Sequence, residues 1–260
     1  MEFGVLMIGI LAGIFSGMFG IGGGIVMVPT LIVIFGMELL AANATSLAAM
    51  LLPVGIFGVI NYYKAGYVNI KDSLWISLGL FVGSFFGAEL AVSVQVSLLS
   101  KLYAAYILYV AIGFLNIPSY FSKGKKAVVS SPDLVLENSS ISLWKLIGVG
   151  LLAGVIAGMF GKGGGLIIVP LLINYFGYST KAATATSLAA LQLPVGLPSV
   201  IVYAQQGHLN YLFAGLMAFG ILSGVFFGSM LALKLPNSIF KKVYAIFLVG
   251  VAIYMINKYF

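Results

Sequence analysis

The chain matches itself at an offset of 141 residues, and this duplication limits its folds more than any other feature. Leu11-Ala12-Gly13 and Met18-Phe19-Gly20-Ile21-Gly22-Gly23-Gly24 return as Leu152-Ala153-Gly154 and Met159-Phe160-Gly161-Lys162-Gly163-Gly164-Gly165. Val28-Pro29 returns as Val169-Pro170, and the block from Ala41 to Gly55 as the block from Ala182 to Gly196. Gly79, Gly83 and Gly87 align with Gly220, Gly224 and Gly228, and Lys101-Leu102-Tyr103-Ala104 with Lys242-Val243-Tyr244-Ala245. The register never slips, as after a gene duplication, so each half is expected to fold as a version of one unit.

Composition says where that unit folds. Of the 260 residues 62% are hydrophobic and 7% charged, and the mean hydropathy is +1.15. A soluble domain carries about 25% charged residues, and disorder needs low hydrophobicity with high net charge. Both are excluded, as are disulfide scaffolds, because there is no cysteine. A multi-pass protein of the cell membrane remains, with the lipid bilayer as its surroundings. At about 20 residues per crossing there is room for roughly eight to ten crossings. Met1-Glu2-Phe3-Gly4 lacks a basic n-region and a cleavage site and reads as mature sequence rather than a signal peptide.

Each half divides into five apolar segments. They run Gly4–Phe19, Gly24–Phe35, Ala41–Tyr63, Ser73–Val94 and Leu98–Asn116, then Lys145–Phe160, Gly165–Phe176, Ala182–Ala204, Leu212–Leu233 and Ile239–Asn257. The polar stretch 121–142, with Lys123, Lys125, Lys126, Pro132, Asp133 and Glu137, separates a first membrane repeat (1–120) from a second (143–260). In each half the first two segments form either one broken crossing or a hairpin that enters and returns. Lysines arbitrate, because cytoplasmic loops collect them. With broken crossings, Lys101, Lys181, Lys234, Lys241 and Lys242 oppose Lys64, Lys71, Lys123, Lys125, Lys126, Lys145 and Lys258, which is no bias. With hairpins, only Lys101 and Lys258 oppose the rest, Lys162 being left in a hairpin tip. The hairpin is therefore expected, and the +7 net charge records topology rather than a nucleic-acid footprint. Five segments is an odd number, so the halves enter from opposite sides. The predicted fold is all-α and integral to the membrane. It has two inverted-topology repeats, each a broken glycine-tipped helical hairpin plus three transmembrane helices, with the 121–142 linker cytoplasmic.

The tips carry the chemistry. Glycine runs disfavour helix by about 1 kcal/mol per residue, so the second arm of each hairpin starts near the membrane midplane with free N–H groups and a positive dipole end. Gly22, Gly23, Gly24, Gly163, Gly164 and Gly165 let a ligand approach those N–H groups, which makes an anion site. The glycines at four-residue spacing, Gly13, Gly17, Gly83, Gly87, Gly154, Gly158, Gly224 and Gly228, instead read as helix-packing ridges. Lys162 stands where the first half has Ile21, and a lysine at membrane depth costs roughly 2.5–3.5 kcal/mol. Pairing with the anion repays that cost; snorkelling to water or pairing with Glu89 is the plainer reading.

On the next helix, Asn43, Thr45 and Ser46 match Thr184, Thr186 and Ser187, polar groups able to line the site. The plainer reading is that they bond their own backbone. Gln192 replaces Leu51 and is placed near the second tip, while Pro53 and Pro194 are expected to kink their helices. Glu89 reads as an interfacial carboxylate, His208 as a solvated loop residue, and Tyr62, Tyr203, Trp75 and Trp144 as interfacial anchors.

The duplicated G-M-F-G-x-G-G-G-x-x-x-V-P and A-T-S-L-A-A-x-x-x-P-V-G elements resemble the sulfite and organosulfonate exporter family, the TauE/SafE type. The resemblance runs from Leu11 to Tyr254 and covers both repeats. It implies a secondary transporter of a small sulfur-containing anion (sulfite, a sulfonate or a related organosulfur compound), coupled to a proton or sodium gradient. The implied mechanism is alternating access, one half rocking against the other. A passive anion channel and a carrier of another small organic solute are the alternatives. The chain has one histidine, no cysteine and no H-E-x-x-H or G-x-S-x-G, so an enzyme is not expected. Neither a cofactor nor a bound metal is called for.

Overall fold

A computed structural model describes residues 2–20, 22–114, 141–161 and 164–234, together with Val249, Gly250, Ile253 and Asn257. Regular structure among them is helical throughout: α1 (Glu2–Phe19), α2 (Gly24–Phe35), α3 (Leu39–Ala49), α4 (Ile56–Lys64), α5 (Ile70–Ser93), α6 (Val96–Phe114), α7 (Leu143–Phe160), α8 (Gly165–Phe176), α9 (Thr180–Ala190), α10 (Leu197–Gln205) and α11 (Tyr211–Lys234). Helices α1, α5, α7 and α11 are long and apolar enough to cross a membrane. The chain forms two compact units, Met1–Ser93 with Val135–Lys234, and Val94–Leu134 with Leu235–Phe260. The second contributes one described helix, α6. The first holds everything that follows. Lys162, Gly163, most of the 121–142 linker and most of the Ile239–Asn257 segment lie outside the described residues.

The hairpins are present as folded pairs. Gly4, at the start of α1, lies against Phe35, at the end of α2, and Gly23 lies against Ala12. In the second half Gly164 lies against Ala153. A continuous helix would hold residues 31 apart about 46 Å from each other, so α2 runs back along α1. Gly23 also touches Ile221, halfway along the 24-residue α11. The second arm therefore starts at the middle depth of a helix about 36 Å long, which exceeds the ~30 Å hydrocarbon core.

The segments Ala41–Tyr63 and Ala182–Ala204, expected as kinked single crossings, are each two helices. α3 stops at Ala49 and α4 starts at Ile56; α9 stops at Ala190 and α10 starts at Leu197. Proline removes a donor and also disfavours helix at the residue before it. Around Pro53 and Pro194 the chain closes tight turns, Val54 N–H to the Leu52 carbonyl and Val195 N–H to the Leu193 carbonyl, both 2.6 Å.

The two halves interlock. α1 runs parallel to α11, with Gly9, Gly13 and Gly17 facing Met217 to Gly220, Ile221 to Gly224 and Val225 to Ser229. α5 runs parallel to α7, with Gly79, Gly83 and Gly87 facing Gly150, Leu151 and Val155. At each glycine an added Cβ would overlap backbone of the facing helix, so the small-residue ridges bring the backbones together, as membrane helices require where burial of apolar surface drives little. Hydrogen bonds continue the exchange. Ser73, Ser77 and Ser84 of α5 donate to the carbonyls of Thr186 (3.0 Å), Ala190 and Val195 (2.7 Å each), while Asn61 of α4 donates to Ser229 of α11 (2.8 Å). One bundle is therefore α1–α4 with α11, and the other α7–α10 with α5. Each half lends its fourth segment to the other's bundle. Gly83→Leu is expected to lower stability by about 3 kcal/mol through overpacking. The purified protein's thermal midpoint reads it, with Gly148→Leu, where nothing lies within 4 Å, as the unaffected control.

Charge divides along the same axis. Lys181 lies against Leu233 and Tyr67, and Lys64 and Lys234 share one cavity. The parallel α5 and α7 start at that end with Lys71 and Lys145. Glu2, Glu38 and Glu89 sit toward the other, where α1 and α3 start and α5 finishes. Burial, then a hydrogen bond to Asp72 and its charge, raise the Tyr178 phenol above its ordinary value at the lysine end.

Candidate functional site

Between the bundles, at the level of the tips, lies a cavity of about 40 Å³. A single water needs roughly 10–15 Å³ on the same measure, so there is room for a small polyatomic ion. Gly22 and Gly23 line it from one tip and Gly164 from the other. Repeat-related pairs form much of the wall: Leu47 with Leu188, Met50 with Leu191, Val54 with Val195, Gly55 with Gly196 and Leu80 with Ile221. Three lining positions break the symmetry with a polar group. Ser16 stands opposite Ala157, Ser84 opposite the Val225 position, and Gln192 opposite the Leu51 position.

The helix ends around this cavity are treated unequally. Gly23 and Gly164 are the N-cap residues of α2 and α8, and neither N-terminus has a side-chain cap. Their first N–H groups have no partner within the helix. The C-termini of α1 and α7, by contrast, are sealed. On α1 the Gly17 carbonyl accepts from Tyr62 (2.9 Å), that of Phe19 from Thr184 (3.5 Å) and that of Gly20 from Ser187 (2.8 Å). On α7 the Gly158 carbonyl accepts from Tyr203 (2.8 Å), that of Met159 from Asn43 (2.8 Å) and that of Gly161 from Ser46 (2.8 Å). Side-chain donors thus offset the negative helix ends while the positive ends stay open. The surroundings are apolar, which strengthens what field remains.

Gly20 and Gly161 make this sealing possible. Both have positive φ, 64° and 65°, and a Cβ on either would overlap backbone of Thr184 or Asn43 respectively. The tip of each hairpin is thereby gripped by the third segment of the other half.

The residues expected at the site divide accordingly. Gly22, Gly23, Gly164 and Gln192 line the cavity, and Gly24 and Gly165 open the helices above it. Gln192 donates through Nε2 to the Leu188 carbonyl (2.7 Å), and its Oε1 is buried with no partner among the described residues. Asn43, Ser46, Thr184 and Ser187 are buried with their donors directed at tip carbonyls. Thr45 and Thr186 accept from the Asn210 and Asn69 amides (3.4 and 3.3 Å), holding the connections before α11 and α5. Lys162 and Gly163 lie outside the described residues. Ser16 and Ser84 were not singled out in the sequence. Their signal was there, since each departs from repeat symmetry, but serine among apolar helical residues also fits packing. Tyr62 and Tyr203, read as interfacial anchors, are instead fully buried carbonyl donors.

Replacing Ser46 and Ser187 by alanine returns two carbonyl dipoles to the neighbourhood of the cavity. The double variant is expected to lose about 1 kcal/mol of stability and to raise the KM for a transported anion severalfold. Ser93→Ala, at an exposed hydroxyl, should change neither.

A family model for the sulfite exporter TauE/SafE matches residues 5–255. The chain is 28% identical to the probable membrane transporter protein YdhB of Bacillus subtilis, over 94% of this chain and 95% of that one. It is 25% identical to the probable membrane transporter protein YunE of the same organism, over 89% and 87%. It is 31% identical to a probable membrane transporter protein of Haemophilus influenzae, over 97% of both. No solved structure matches it. With four helices able to span and relatives that match it nearly end to end, the chain is a multi-pass membrane transporter and belongs to the TauE/SafE sulfite exporter family.

Proposed function

We propose that the protein moves a small sulfur-containing anion, such as sulfite or a sulfonate, across the cell membrane by alternating access, coupled to a proton or sodium gradient. The observation that carries this reading is the pair of uncapped helix N-termini opening on one mid-depth cavity whose neighbouring C-termini are sealed. Peptide N–H groups at Gly22–Gly24 and Gly163–Gly165 hold the anion, with Lys162 supplying charge and Gln192 a polar contact. Asn43, Ser46, Thr184 and Ser187 keep the tip carbonyls away from it, and Thr45 and Thr186 fix the flanking connections. The lysine bias supports a cytoplasmic position for the lysine-bearing end and the 121–142 linker.

The moving bodies are the two interlocked bundles, not the two halves. Bonds from Asn43 and Ser46 to one tip, and from Thr184 and Ser187 to the other, cross between the bundles and must rearrange as the cavity opens to either side. Flux into proteoliposomes tests the function. Sulfite or a short sulfonate should be carried, and faster with an imposed proton or sodium gradient. Cations of the same size should be excluded. Flux of neither anion, or flux indifferent to both gradients, contradicts the proposal.

A further inference from the structure

α4 and α11 end side by side, and between their last turns lies a cavity of about 330 Å³ bearing Lys64 and Lys234. A third cation, from the other bundle, lies against Leu233, one of the lining residues. Lys181, in the first turn of α9, places Nζ 3.5 Å from the Leu233 carbonyl and 5.6 Å from the centre of the Tyr67 ring. Asp72, a carboxylate at this end, is taken by Tyr178 and Asn69. The repeat shows that the fold does not need this charge. In the other half the positions of Lys64, Lys181 and Lys234 are held by Gln205, Leu40 and Ser93, and that of Met230 by Glu89. A topology signal alone would be met by lysines scattered over loops; Lys64 and Lys234 line one hollow, and Lys181 meets the backbone of Leu233, which also lines it.

We propose that this cavity binds a phosphate-bearing anion, either an anionic phospholipid headgroup or free phosphate. Each ammonium offers three donors and a point charge suited to phosphate oxygens. Basic pockets between membrane helices bind anionic headgroups in this way. A lipid fits the surroundings, because the pocket opens beside the exposed Phe226, Phe227 and Met230 of α11, along which acyl chains can run. Lys64 and Lys234 belong to one bundle and Lys181 to the other. The bound anion therefore bridges the bundles at this end and favours the arrangement in which Lys181 meets Leu233, so that lipid composition sets the balance of transport states.

The test uses the full chain and reads binding, so its outcome is independent of which anion is transported. The wild type and a Lys64→Gln/Lys234→Gln variant are placed in nanodiscs of phosphatidylcholine, with or without phosphatidylglycerol. In a second arm, inorganic phosphate is titrated into detergent-solubilised protein. Native mass spectrometry counts retained lipid, and the thermal midpoint reports stabilisation. Phosphatidylglycerol should be retained by the wild type and raise its midpoint, with the variant's affinity at least about tenfold lower. A rise with inorganic phosphate alone, lost in the variant, assigns the site to the free anion. No rise with either probe, or an equal rise in the variant, overturns the proposal.

Discussion

A covalent bridge between Phe57→Cys on α4 and Phe226→Cys on α11 should leave transport intact, although it ties the first half of the sequence to the second. The two rings meet edge to face at 6.2 Å and are exposed, so the substitutions leave the core alone. The helices belong to one bundle, joined by the Asn61–Ser229 bond and by the close approach of Gly58 to Val225. A bridge between Lys181→Cys on α9 and Leu233→Cys on α11 joins the two bundles and should abolish flux. Because the chain has no cysteine, a short bis-maleimide reacts with the introduced pair alone. If the first bridge blocks flux and the second does not, the repeats move as halves and the interlocked bundles are not the working bodies.

Lys162→Ala should weaken anion transport by roughly ten- to a hundredfold, the value of a hydrogen bond to a charged group converted to affinity. The sequence places Lys162 between Gly161 and Gly164, the latter lining the cavity. A second departure from symmetry accompanies it. Asn43 abuts Gly161, the residue before Lys162, whereas Thr184 abuts Gly20, the residue before Ile21. The half with a cation in its tip therefore meets an amide whose buried Oδ1 has no partner among the described residues, and the half with isoleucine meets a threonine. The loss should appear as a raised KM. Wild-type kinetics for Lys162→Ala in proteoliposomes would remove the lysine from the site.

The helix breaks were legible because glycine runs disfavour helix and because duplication turned one weak signal into two; the lysine bias then chose a hairpin over a broken crossing. The break at Met50–Gly55 was not, since the apolar run is continuous and proline reads equally as a kink. The glycine ridges announced close packing without naming a partner: the spacing of Gly79, Gly83 and Gly87 fits any facing helix, and only the fold shows that it is α7. The hydroxyls of Ser46 and Ser187 stood out as polar groups in an apolar setting. Their acceptors are backbone carbonyls 115 and 167 positions away in the chain, which carry no side-chain signature. What the fold adds to the candidate site is the asymmetry between sealed C-termini and open N-termini.

That asymmetry is tested most directly by anion binding to Gly164→Ala. Gly164 has φ −60°, so alanine meets no backbone strain. Its Cβ would press on Leu80 Cδ2 (2.6 Å) and Ala153 Cβ (3.0 Å), displacing a cavity wall at the start of α8. Titration calorimetry of sulfite into the purified protein, with Gly148→Ala as control, is expected to give full binding in wild type and control. Gly164→Ala should bind at least about tenfold more weakly, the cost of one lost hydrogen bond to a charged ligand. Unchanged sulfite affinity in a folded Gly164→Ala protein would contradict a binding site at the open helix ends.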